Sequence, residues 1–452
     1  MTMLMACAPS AASAGRLSSY WEGCRVAVIG LGRSGFAAAK LLCERGARVR
    51  VTDARETDTL CRAREALYEL GAEAVELGGH TPQMLNQVDC LVASPGVPES
   101  TEPMRWAVQH HLPILSEIEL AFQCCPSPVV AVTGTNGKST VVTLIAEILT
   151  ASGRPAVACG NVGIPFASVI SELTPQSVAV VEVSSFQLLW CDQFRPHIGV
   201  LLNIGSNHLD RHHDQQAYVS AKARLLQRQT PDDWAVLNGR DPRIVELAEA
   251  LHAQCAWFGE NRSNPPALQL APETQRALTD GAQAVLQVAR LLGVPDPLSW
   301  QIMRSFRGLE HRLERVATVR GVHFVNDSKS TTPDSLLYAL SQVQGDVVAI
   351  VGGRDKGMDF VPLAQRLHDE RVKGVVLIGE SRARLRPLLN GSSTVRESQT
   401  LENAVRAAFA LAHSGATVLF SPACASFDMF RDFEERGRVF KTVVARLADA
   451  AS

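Results

Sequence analysis

The chain of 452 residues lacks a surplus of either charge, since its formal net charge is −2. Proteins that bind the phosphate backbone of nucleic acids carry a basic surplus, so the composition argues against nucleic acid as the main partner. The sequence also has no apolar run that approaches the ~20 residues of a membrane-spanning helix. We therefore expect a globular protein that binds neither nucleic acid nor a membrane.

The eleven cysteines lack the spacing of a metal site. Most of them lie in apolar runs, as Cys43, Cys90 and Cys159 do, which favours reduced, buried thiols in a cytoplasmic protein. The run Leu4-Met5-Ala6-Cys7 is a weak match to a lipoprotein processing site. Because it has neither a basic leader nor a full apolar stretch, we expect residues 1–20 to be a disordered extension instead.

The sequence does contain a repeated alternation of short β-branched strands and helical segments, which predicts an α/β fold with parallel sheets. Hydrophobic residues make up 46% of the chain, enough for two or three packed domains. The pattern predicts helices over residues 36–45 and 139–152. It predicts strands over residues 47–52, 129–132, 178–183, 198–202, 347–351, 374–378 and 417–420.

The most informative stretch is an apolar strand followed by a glycine-rich turn, Gly134-Thr135-Asn136-Gly137-Lys138-Ser139-Thr140. Backbone N–H groups in such a turn, with the positive end of the next helix, form a cradle for phosphate oxygens. Lys138 would reach the β- and γ-phosphates of a nucleoside triphosphate, and the Ser139 hydroxyl would bind Mg²⁺. The loop is a variant, because Val132 stands where the general pattern has its first glycine.

A second glycine-rich turn, with Gly30, Gly32 and Gly35, is followed by Asp53 and matches the dinucleotide-binding fingerprint. Alone it would suggest a dehydrogenase, but a second phosphate-binding loop downstream disfavours a nicotinamide enzyme. The glycines could also serve only close packing of strand and helix. We favour a helix N-terminus that holds the diphosphate of another nucleotide, with Arg33, Asp53 and Arg55 nearby.

Two further predicted strands end in polar residues. Glu182 stands near the carboxyl end of an apolar strand, where a buried carboxylate is costly unless it is paired or bound to a metal, so a Mg²⁺ role is favoured. The next strand runs into a polar loop with His208, Asp210, His212, His213 and Asp214. The loop lacks zinc spacing, and a single contact from His208 to a Mg²⁺-ATP site is the better interpretation.

Together these motifs resemble the ATP-dependent Mur ligases of peptidoglycan precursor synthesis. The resemblance covers essentially the whole chain and is carried by residues 133–139, 182–187 and 208–211 and by Tyr218 with Lys222. The C-terminal block resembles the members that add D-glutamate, through residues 308–312, 326–331, 352–356 and 421–437.

The resemblance implies three domains. A Rossmann-like domain over residues 1–117 would bind the UDP substrate. A central P-loop-type ATPase domain with a parallel sheet would span residues 118–308, and a Rossmann-like domain over residues 309–452 would bind the amino acid. The implied enzyme is a cytoplasmic monomer that serves cell-wall biogenesis, cell shape and cell division.

The implied reaction forms an acyl phosphate from ATP and the carboxylate of UDP-N-acetylmuramoyl-L-alanine, which the amine of D-glutamate then attacks. It would need ATP, two Mg²⁺ ions and a carbamylated Lys222. By the resemblance, the catalytic residues are Lys138, His208, Lys222 and Lys329. The implied Mg²⁺ ligands are Ser139, Glu182, His208 and the carbamate of Lys222.

The resemblance also assigns the substrate contacts. ATP would be bound by residues 134–140 with Arg312 and Asp327. The UDP substrate would be bound by Gly32, Arg33, Ser34, Asp53, Arg55, Ser94, Asn161, Ser184 and Gln187. D-glutamate would be bound by Thr331, Lys356, Ser426, Phe427 and Phe433.

Some of these assignments have plain alternatives. By spacing alone, Lys222 would be a solvated residue on a helix over residues 215–228, with Tyr218 packed inward. The resemblance instead implies a carbamate, whose negative charge would offset the repulsion between two Mg²⁺ ions. Asn161 and Ser94 could be ordinary turn residues.

The chain also departs from the family pattern in three places. Asn207 replaces the usual Asp before the metal-binding His, and Thr332 replaces the usual Asn. A His-Asn-x-x-Asn motif is missing near residues 276–280.

Other functions remain as alternatives. Another Mur-type ligase is one, and a folylpolyglutamate-type ligase, which shares the phosphate loop and the carbamylated lysine, is another. The paired glycines of the N-terminal domain and residues 421–437 disfavour the latter. A non-catalytic nucleotide switch would need lesions in the metal ligands, yet Ser139, Glu182 and His208 are all present.

Overall fold

The computed structural model describes residues 21–205, 214–259, 280–306, 308–355, 357–390 and 394–451. The chain divides into two compact units, Met1–Phe306 and Arg307–Ser452. The first unit contains a five-stranded and a six-stranded sheet, and the second contains one six-stranded sheet. The predicted α/β fold class with parallel sheets is confirmed.

The first sheet is entirely parallel, with strand order β3-β2-β1-β4-β5. Its strands are β1 Arg25–Ile29, β2 Arg48–Asp53, β3 Ala74–Leu77, β4 Cys90–Ala93 and β5 Ile114–Ser116. Its helices are α1 Arg33–Glu44, α2 Asp58–Glu69, α3 Glu102–Gln109 and α4 Glu117–Cys124, with a short 3₁₀-helix at Pro82–Met84. A Cβ atom on Gly35 would lie 1.8 Å from the Gly30 carbonyl oxygen, so this glycine permits the tight packing of α1 on β1.

The second sheet is also parallel, with strand order β11-β10-β9-β6-β8-β7. Its strands are β6 Val129–Thr133, β7 Ala156–Gly160, β8 Val178–Glu182, β9 Ile198–Leu201, β10 Trp234–Asn238 and β11 Gln254–Phe258. Its helices are α5 Lys138–Ala151, α6 Ser185–Leu189, α7 Gln215–Ala223, α8 Pro242–Ala248, α9 Asp280–Leu291 and α10 Asp296–Ser305, with a 3₁₀-helix at Phe166–Glu172. Strand β6 lies between β8 and β9, so the residues that follow these three strands meet at one edge of the sheet.

The two sheets of the first unit share one hydrophobic cluster. It includes Val28 of β1, Ile118 of α4, Ala131 of β6 and Phe166 of the 3₁₀-helix, all buried. Strands β6 and β8 are buried along their whole length, as expected for a parallel sheet covered on both faces. Helix α4 therefore lies at the place where the two sheets are packed into one body.

The sheet of the second unit has strand order β12-β13-β17-β14-β15-β16. Its strands are β12 Glu314–Val319, β13 Val322–Asn326, β14 Val347–Gly352, β15 Val372–Ile378, β16 Thr394–Glu397 and β17 Thr417–Phe420. Among the strand pairs that the structure describes in this sheet, β12–β13 is antiparallel and the others are parallel. Its helices are α11 Pro333–Gln342, α12 Val361–Leu367, α13 Arg382–Leu388, α14 Leu401–Leu411 and α15 Phe433–Ala451. The loops after β13, β17 and β14 start from neighbouring strands and carry the residues predicted to bind the amino acid.

The helix predicted over residues 139–152 is displaced by one residue, to Lys138–Ala151, and two others differ more in their bounds. Helix α1 begins at Arg33 and not at residue 36, because Gly32 is its N-cap and accepts a hydrogen bond from Phe36 N at 2.9 Å. Helix α7 ends at Ala223 and not at residue 228. There the chain tightens into i→i+3 hydrogen bonds, from Leu225 N to Lys222 O and from Leu226 N to Ala223 O.

Every cysteine among the described residues is a free thiol. Cys90 and Cys159 are buried as expected, but Cys43 is only half-buried. Burial raises the pKa of the Cys90 thiol to about 12, so it is protonated and unreactive at neutral pH. Of the helices in the described ranges, none has both the length and the apolar character required to cross a membrane.

Candidate active site

The glycine-rich turn of the first unit connects the central strand β6 to helix α5. Gly134 has φ 155° and Gly137 has φ 84°, backbone conformations that other residues rarely adopt. Gly137 is the N-cap of α5, and Lys138 is its first residue. The N–H groups at this helix end have no intrahelical acceptor, so the turn has the backbone geometry of an anion cradle. That it binds ATP phosphates stays a prediction.

Asn203, which follows β9, holds this turn in place. Its Oδ1 atom accepts hydrogen bonds from the backbone N–H of Thr135 at 3.0 Å and of Asn136 at 2.9 Å. Its Nδ2 atom donates to the Asn136 carbonyl at 3.2 Å. No role for Asn203 was predicted from the sequence. Its position directly after an apolar strand could have marked it as a candidate site residue, just as the position of Glu182 near the end of a strand did.

Two lysines converge on the Gly134 carbonyl. Lys138 Nζ donates to Gly134 O and to Thr135 O, both at 2.9 Å, and Lys222 Nζ donates to Gly134 O at 2.9 Å. Lys222 is only 1% exposed, so the solvated-lysine interpretation is wrong. Tyr218 is equally buried, as expected, and its hydroxyl lies 3.1 Å from Thr135 Oγ1.

The surroundings of Lys222 disfavour its charged form. Burial, and next the positive charge of Lys138, hold its pKa well below the usual lysine value, while the Glu182 carboxylate acts in the opposite direction. The Lys222 Nζ atom also lies 4.6 Å from the centroid of the Tyr218 ring. A lowered pKa favours the deprotonated amine of a buried lysine, which is a nucleophile.

Glu182 ends strand β8, beside β6, and is 2% exposed. Its Oε1 atom accepts a hydrogen bond from Asn161 Nδ2 at 2.9 Å, and its carbonyl accepts one from Asn161 N at 2.9 Å. A Cβ atom on Gly160 would lie 2.3 Å from the Glu182 carbonyl oxygen, so a glycine is needed before Asn161. Asn161 is thereby brought to the phosphate-loop edge of the second sheet.

The fold implies a magnesium ion, and the donors at this edge fit one. Ser139 Oγ is buried and has no hydrogen-bond partner within the described ranges. An orphaned hydroxyl is costly unless a ligand satisfies it, and hydroxyl and carboxylate oxygens are the ligands that Mg²⁺ prefers. Glu182 offers the carboxylate. His208, the other predicted ligand, lies outside the described residues, as does Asn207.

Of the residues predicted to bind the UDP substrate, Asp53 and Ser94 hold the first glycine turn. Asp53 Oδ2 accepts from Leu31 N at 2.8 Å, Asp53 Oδ1 accepts from Arg55 N at 2.9 Å, and Ser94 Oγ donates to Gly30 O at 2.7 Å. Burial acts to raise the pKa of Asp53, but these N–H groups and the Arg55 side chain outweigh it and leave the pKa below its usual value.

Gly32 and Arg33 are exposed at the start of α1, and Ser34 is half-buried. The side chain of Arg55 is also largely exposed.

Ser184 and Gln187 form a capping box at the start of α6. Ser184 Oγ accepts from Gln187 N at 3.3 Å, and Gln187 Oε1 accepts from Ser184 N at 2.9 Å. Gln187 and Ser94 line the same small cavity, together with Ser116, Phe186 and Trp190. The structure thus brings these two predicted contacts together, although part of their polar capacity is used within the protein.

The second unit holds the remaining predicted residues. Asp327 is buried, and its carboxylate accepts from Ser421 Oγ at 2.7 Å and from Leu313 N at 3.2 Å. Burial raises its pKa to about 6, although these hydrogen bonds and Arg312 act to lower it. Lys329 Nζ lies 5.8 Å from the centroid of the Phe433 ring.

The predicted amino-acid contacts in this unit differ in exposure. Thr331 and Phe433 are half-buried and Ser426 is buried, whereas Phe427 is 60% exposed. Lys356 lies outside the described residues. Thr331 follows β13 and Ser426 follows β17, and these two strands are neighbours in the sheet.

Family models match three parts of the chain. Residues 24–116 match the Mur ligase MurD-like N-terminal domain, residues 132–288 match the Mur ligase middle domain, and residues 311–424 match the Mur ligase glutamate ligase domain. These matches confirm a three-domain fold. The exact limits of the domains stay predictions.

Curated relatives match nearly the whole chain. A protein of Desulfosudis oleivorans named UDP-N-acetylmuramoylalanine--D-glutamate ligase is 37% identical over 95% of this chain and 97% of its own length. A protein of the same name from a Geobacter species is 38% identical over 93% of this chain and 97% of its own length.

Solved structures share the fold at low sequence identity. The UDP-N-acetylmuramate-alanine ligase MurC of Thermotoga maritima aligns with a TM-score of 0.57 at 17% identity, covering 94% of this chain and 99% of that one. MurF of Thermotoga maritima in complex with ADP aligns with a TM-score of 0.56 at 16% identity, covering 88% and 95%. The three domain matches and the whole-length relatives lead to one conclusion: the chain belongs to the Mur ligase family.

Proposed function

We propose that the protein is an ATP-dependent carbon–nitrogen ligase that joins D-glutamate to UDP-N-acetylmuramoyl-L-alanine in peptidoglycan precursor synthesis. The observation that carries this proposal is the 37% identity over 95% of the chain to a protein named for that reaction. The free thiols of the described cysteines agree with a reducing compartment, and we assign the reaction to the cytoplasm.

In the proposed reaction, a carboxylate oxygen of the L-alanine moiety attacks the γ-phosphorus of ATP, and ADP leaves. The product is an acyl phosphate. The neutral amine of D-glutamate then attacks the acyl carbon, loses a proton and expels phosphate. Neither step needs a protein nucleophile, so the protein contributes positioning and charge neutralisation.

The turn of residues 134–140 would hold the ATP phosphates. Its backbone N–H groups stand at the start of α5, and Lys138 is the cation that can neutralise charge on the transferred phosphoryl group. In the structure the Lys138 ammonium is folded onto two carbonyls of its own turn. We propose that phosphate oxygens replace these acceptors when ATP binds.

Ser139 and Glu182 would hold magnesium, with His208 and a carbamate on Lys222 as further ligands. When bound, Mg²⁺ supplies positive charge that neutralises the phosphate oxygens. The buried hydroxyl of Ser139 and the buried carboxylate of Glu182 support this assignment.

The carbamate would form on Lys222 itself. A deprotonated Nζ atom attacks the carbon of CO₂, forms the N–C bond and releases one proton. The burial of Lys222 and the nearby charge of Lys138, which together lower its pKa, favour the deprotonated amine that this step needs.

The substrates would be divided among the domains. The start of α1, with Gly32, Arg33 and Ser34, would face the UDP diphosphate. Asp53, Arg55, Ser94, Asn161, Ser184 and Gln187 would form or support the rest of that site. Thr331, Lys356, Ser426, Phe427 and Phe433 would bind D-glutamate, while Arg312, Asp327 and Lys329 would complete the ATP site.

The test is phosphate release by the purified protein with ATP, Mg²⁺, UDP-N-acetylmuramoyl-L-alanine and one amino acid at a time. We expect D-glutamate to have a specificity constant about a hundredfold or more above L-glutamate, because inverting the α-carbon leaves either the amine or the side-chain carboxylate misplaced. L-lysine should be excluded more strongly. Phosphate release that requires L-lysine would instead indicate another Mur-type ligase, and no release with any amino acid would overturn the proposal.

A further inference from the structure

Arg436 lies near the start of α15 in the second unit and is only 1% exposed. Its guanidinium group donates three hydrogen bonds. Nε donates to Ser328 Oγ at 3.1 Å, one terminal nitrogen to Ser328 O at 2.7 Å, and the other to Cys424 O at 3.0 Å. The acceptors belong to the loops after β13 and β17, so one side chain joins both loops to α15.

This buried cation has no carboxylate partner within 4.0 Å among the described residues. Burial lowers the pKa of Arg436 only to about 10, so the group remains charged at neutral pH. Asp428 and Asp327 act on it only as more distant charges. A buried charge without a counter-ion is costly, and hydrophobic residues would fill the same volume with less penalty.

The segments that Arg436 joins carry the residues that would bind the amino acid and ATP. Ser328 stands between Asp327 and Lys329 in the loop that leads to Thr331. Its Oγ atom, which accepts from Arg436, donates to the Phe433 carbonyl at 2.8 Å. The arginine therefore fixes the start of α15 as well as the loop.

A third loop packs against the same group. A Cβ atom on Gly353 would lie 2.3 Å from Ala425 O and 3.2 Å from a terminal nitrogen of Arg436. The next residue, Arg354, donates its N–H to Ala425 O at 2.8 Å. The loops after β13, β14 and β17 thus meet around one guanidinium group.

We propose that Arg436 is the positioning residue of the amino-acid site, and that its positive charge favours a dicarboxylate substrate there. The inference rests on the proposed function. Arg436 acts through Ser328, Cys424 and Phe433 and is not itself assigned a contact with the substrate. This positioning role accounts for why a charged side chain is kept at a buried position where an apolar side chain would be more stable.

The test compares Arg436→Lys, which keeps the charge but loses the planar fork, with Arg436→Met, which loses both. We expect the KM for D-glutamate to rise about tenfold in Arg436→Lys and about a hundredfold in Arg436→Met, since the second variant loses the charge as well. The KM for ATP should rise less than the KM for D-glutamate in both variants, because the phosphate loop belongs to the other unit and only Arg312, Asp327 and Lys329 of the proposed ATP contacts belong to this one. Arg431→Met is the matched control, since Arg431 is 80% exposed and pairs with Glu435 on the surface; its KM for D-glutamate should not change.

Ser328→Ala is a milder variant that keeps the test valid if Arg436→Met does not fold. It removes the hydroxyl that links Arg436 to Phe433, so we expect the KM for D-glutamate to rise about fivefold. A folded Arg436→Lys protein with a lowered melting temperature but an unchanged KM for D-glutamate would show a structural brace only and overturn the inference. A wild-type protein that fails to use D-glutamate would overturn the proposed function instead.

Discussion

Among the described residues, each unit buries one lysine or arginine side chain, Lys222 in the first and Arg436 in the second, and both are 1% exposed. Lys222 donates a hydrogen bond to the Gly134 carbonyl and lies near the positive charge of a second lysine, Lys138. Arg436 donates to three oxygen atoms. Accordingly, the pKa of Lys222 falls far below its usual value, whereas burial lowers that of Arg436 only to about 10.

This difference separates a chemical role from a positioning role. An ammonium that is desolvated beside another cation gives up its proton more readily, and an amine formed in this way can react with CO₂. A guanidinium with three acceptors keeps its charge and ties loops together. In the proposed enzyme, the phosphate-loop region is therefore built around a group that would change its charge, and the amino-acid region around a group that would not.

The largest effect is expected from Lys138→Ala, because Lys138 would neutralise phosphate in the proposed reaction and its charge also lowers the pKa of Lys222. We expect kcat/KM to fall about a thousandfold, the loss typical of removing one preorganised charge from a phosphoryl-transfer site. Phosphate release measures this loss, and circular dichroism checks the fold. Lys40→Ala is the control, since Lys40 is an exposed lysine paired with Glu44. Near-normal turnover of folded Lys138→Ala would contradict the phosphate-loop assignment.

The next largest effect is expected when the lysine at position 222 is replaced by an arginine, the kind of cation that the second unit buries. Lys222→Arg places at the first site a group that cannot lose its charge, and we expect kcat to fall about a hundredfold. Lys222→Ala should lose a similar factor and recover part of it with added short carboxylic acids, which can supply the missing anion. An active Lys222→Arg protein would mean that Lys222, like Arg436, acts as a plain cation.

Glu117 extends the comparison to a buried acid. It lies at the start of α4, accepts from Ala167 N at 2.6 Å, and its Oε2 atom has no hydrogen-bond partner within the described ranges. Burial raises its pKa from 4.5 to about 7. Because the folded pKa exceeds the unfolded one, the free energy of unfolding should fall as pH rises from about 4.5 to about 7, by about 3 kcal/mol in total.

Urea unfolding at pH 5 and pH 8 measures this dependence. Glu117→Gln cannot ionise, so it should lose this part of the pH dependence and gain stability relative to wild type at pH 8. Glu69→Gln, a change at an exposed glutamate on α2, should behave as wild type. An identical pH dependence in Glu117→Gln and wild type would contradict the raised pKa.

In the first unit, the sequence predicted most of the features that are encoded within a few neighbouring residues. Apolar runs and glycine positions identified β6, the phosphate turn and the buried Glu182, because each is encoded within a few neighbouring residues. The bounds of α7 and the environment of Lys222 were not predicted by spacing. Helical spacing tells which residues share a face, but not what covers that face.

Asn203 and Arg436 were missed for a related reason. Asn203 binds the N–H of Thr135, 68 residues earlier in the chain, and Arg436 binds Ser328, 108 residues earlier. Their roles depend on strand order, β6 beside β9 and β13 beside β17, which no local pattern encodes. A polar residue after an apolar strand marks a candidate, but only the sheet order supplies its partner.

The smallest expected effect concerns Tyr218, which completes the surroundings of Lys222. Tyr218→Phe keeps the ring 4.6 Å from Lys222 Nζ and removes only the hydroxyl 3.1 Å from Thr135 Oγ1. We expect the loss of about 1 kcal/mol in the free energy of unfolding and a rise of about fivefold in the KM for ATP, since Thr135 belongs to the phosphate turn. Tyr68→Phe is the control, because Tyr68 is half exposed and its hydroxyl binds the Val75 backbone, away from the turn. A KM for ATP that changes equally in both variants would mean that the Tyr218 hydroxyl does not act through the turn. The site around Lys222 would then depend less on its polar neighbours than the site around Arg436 does.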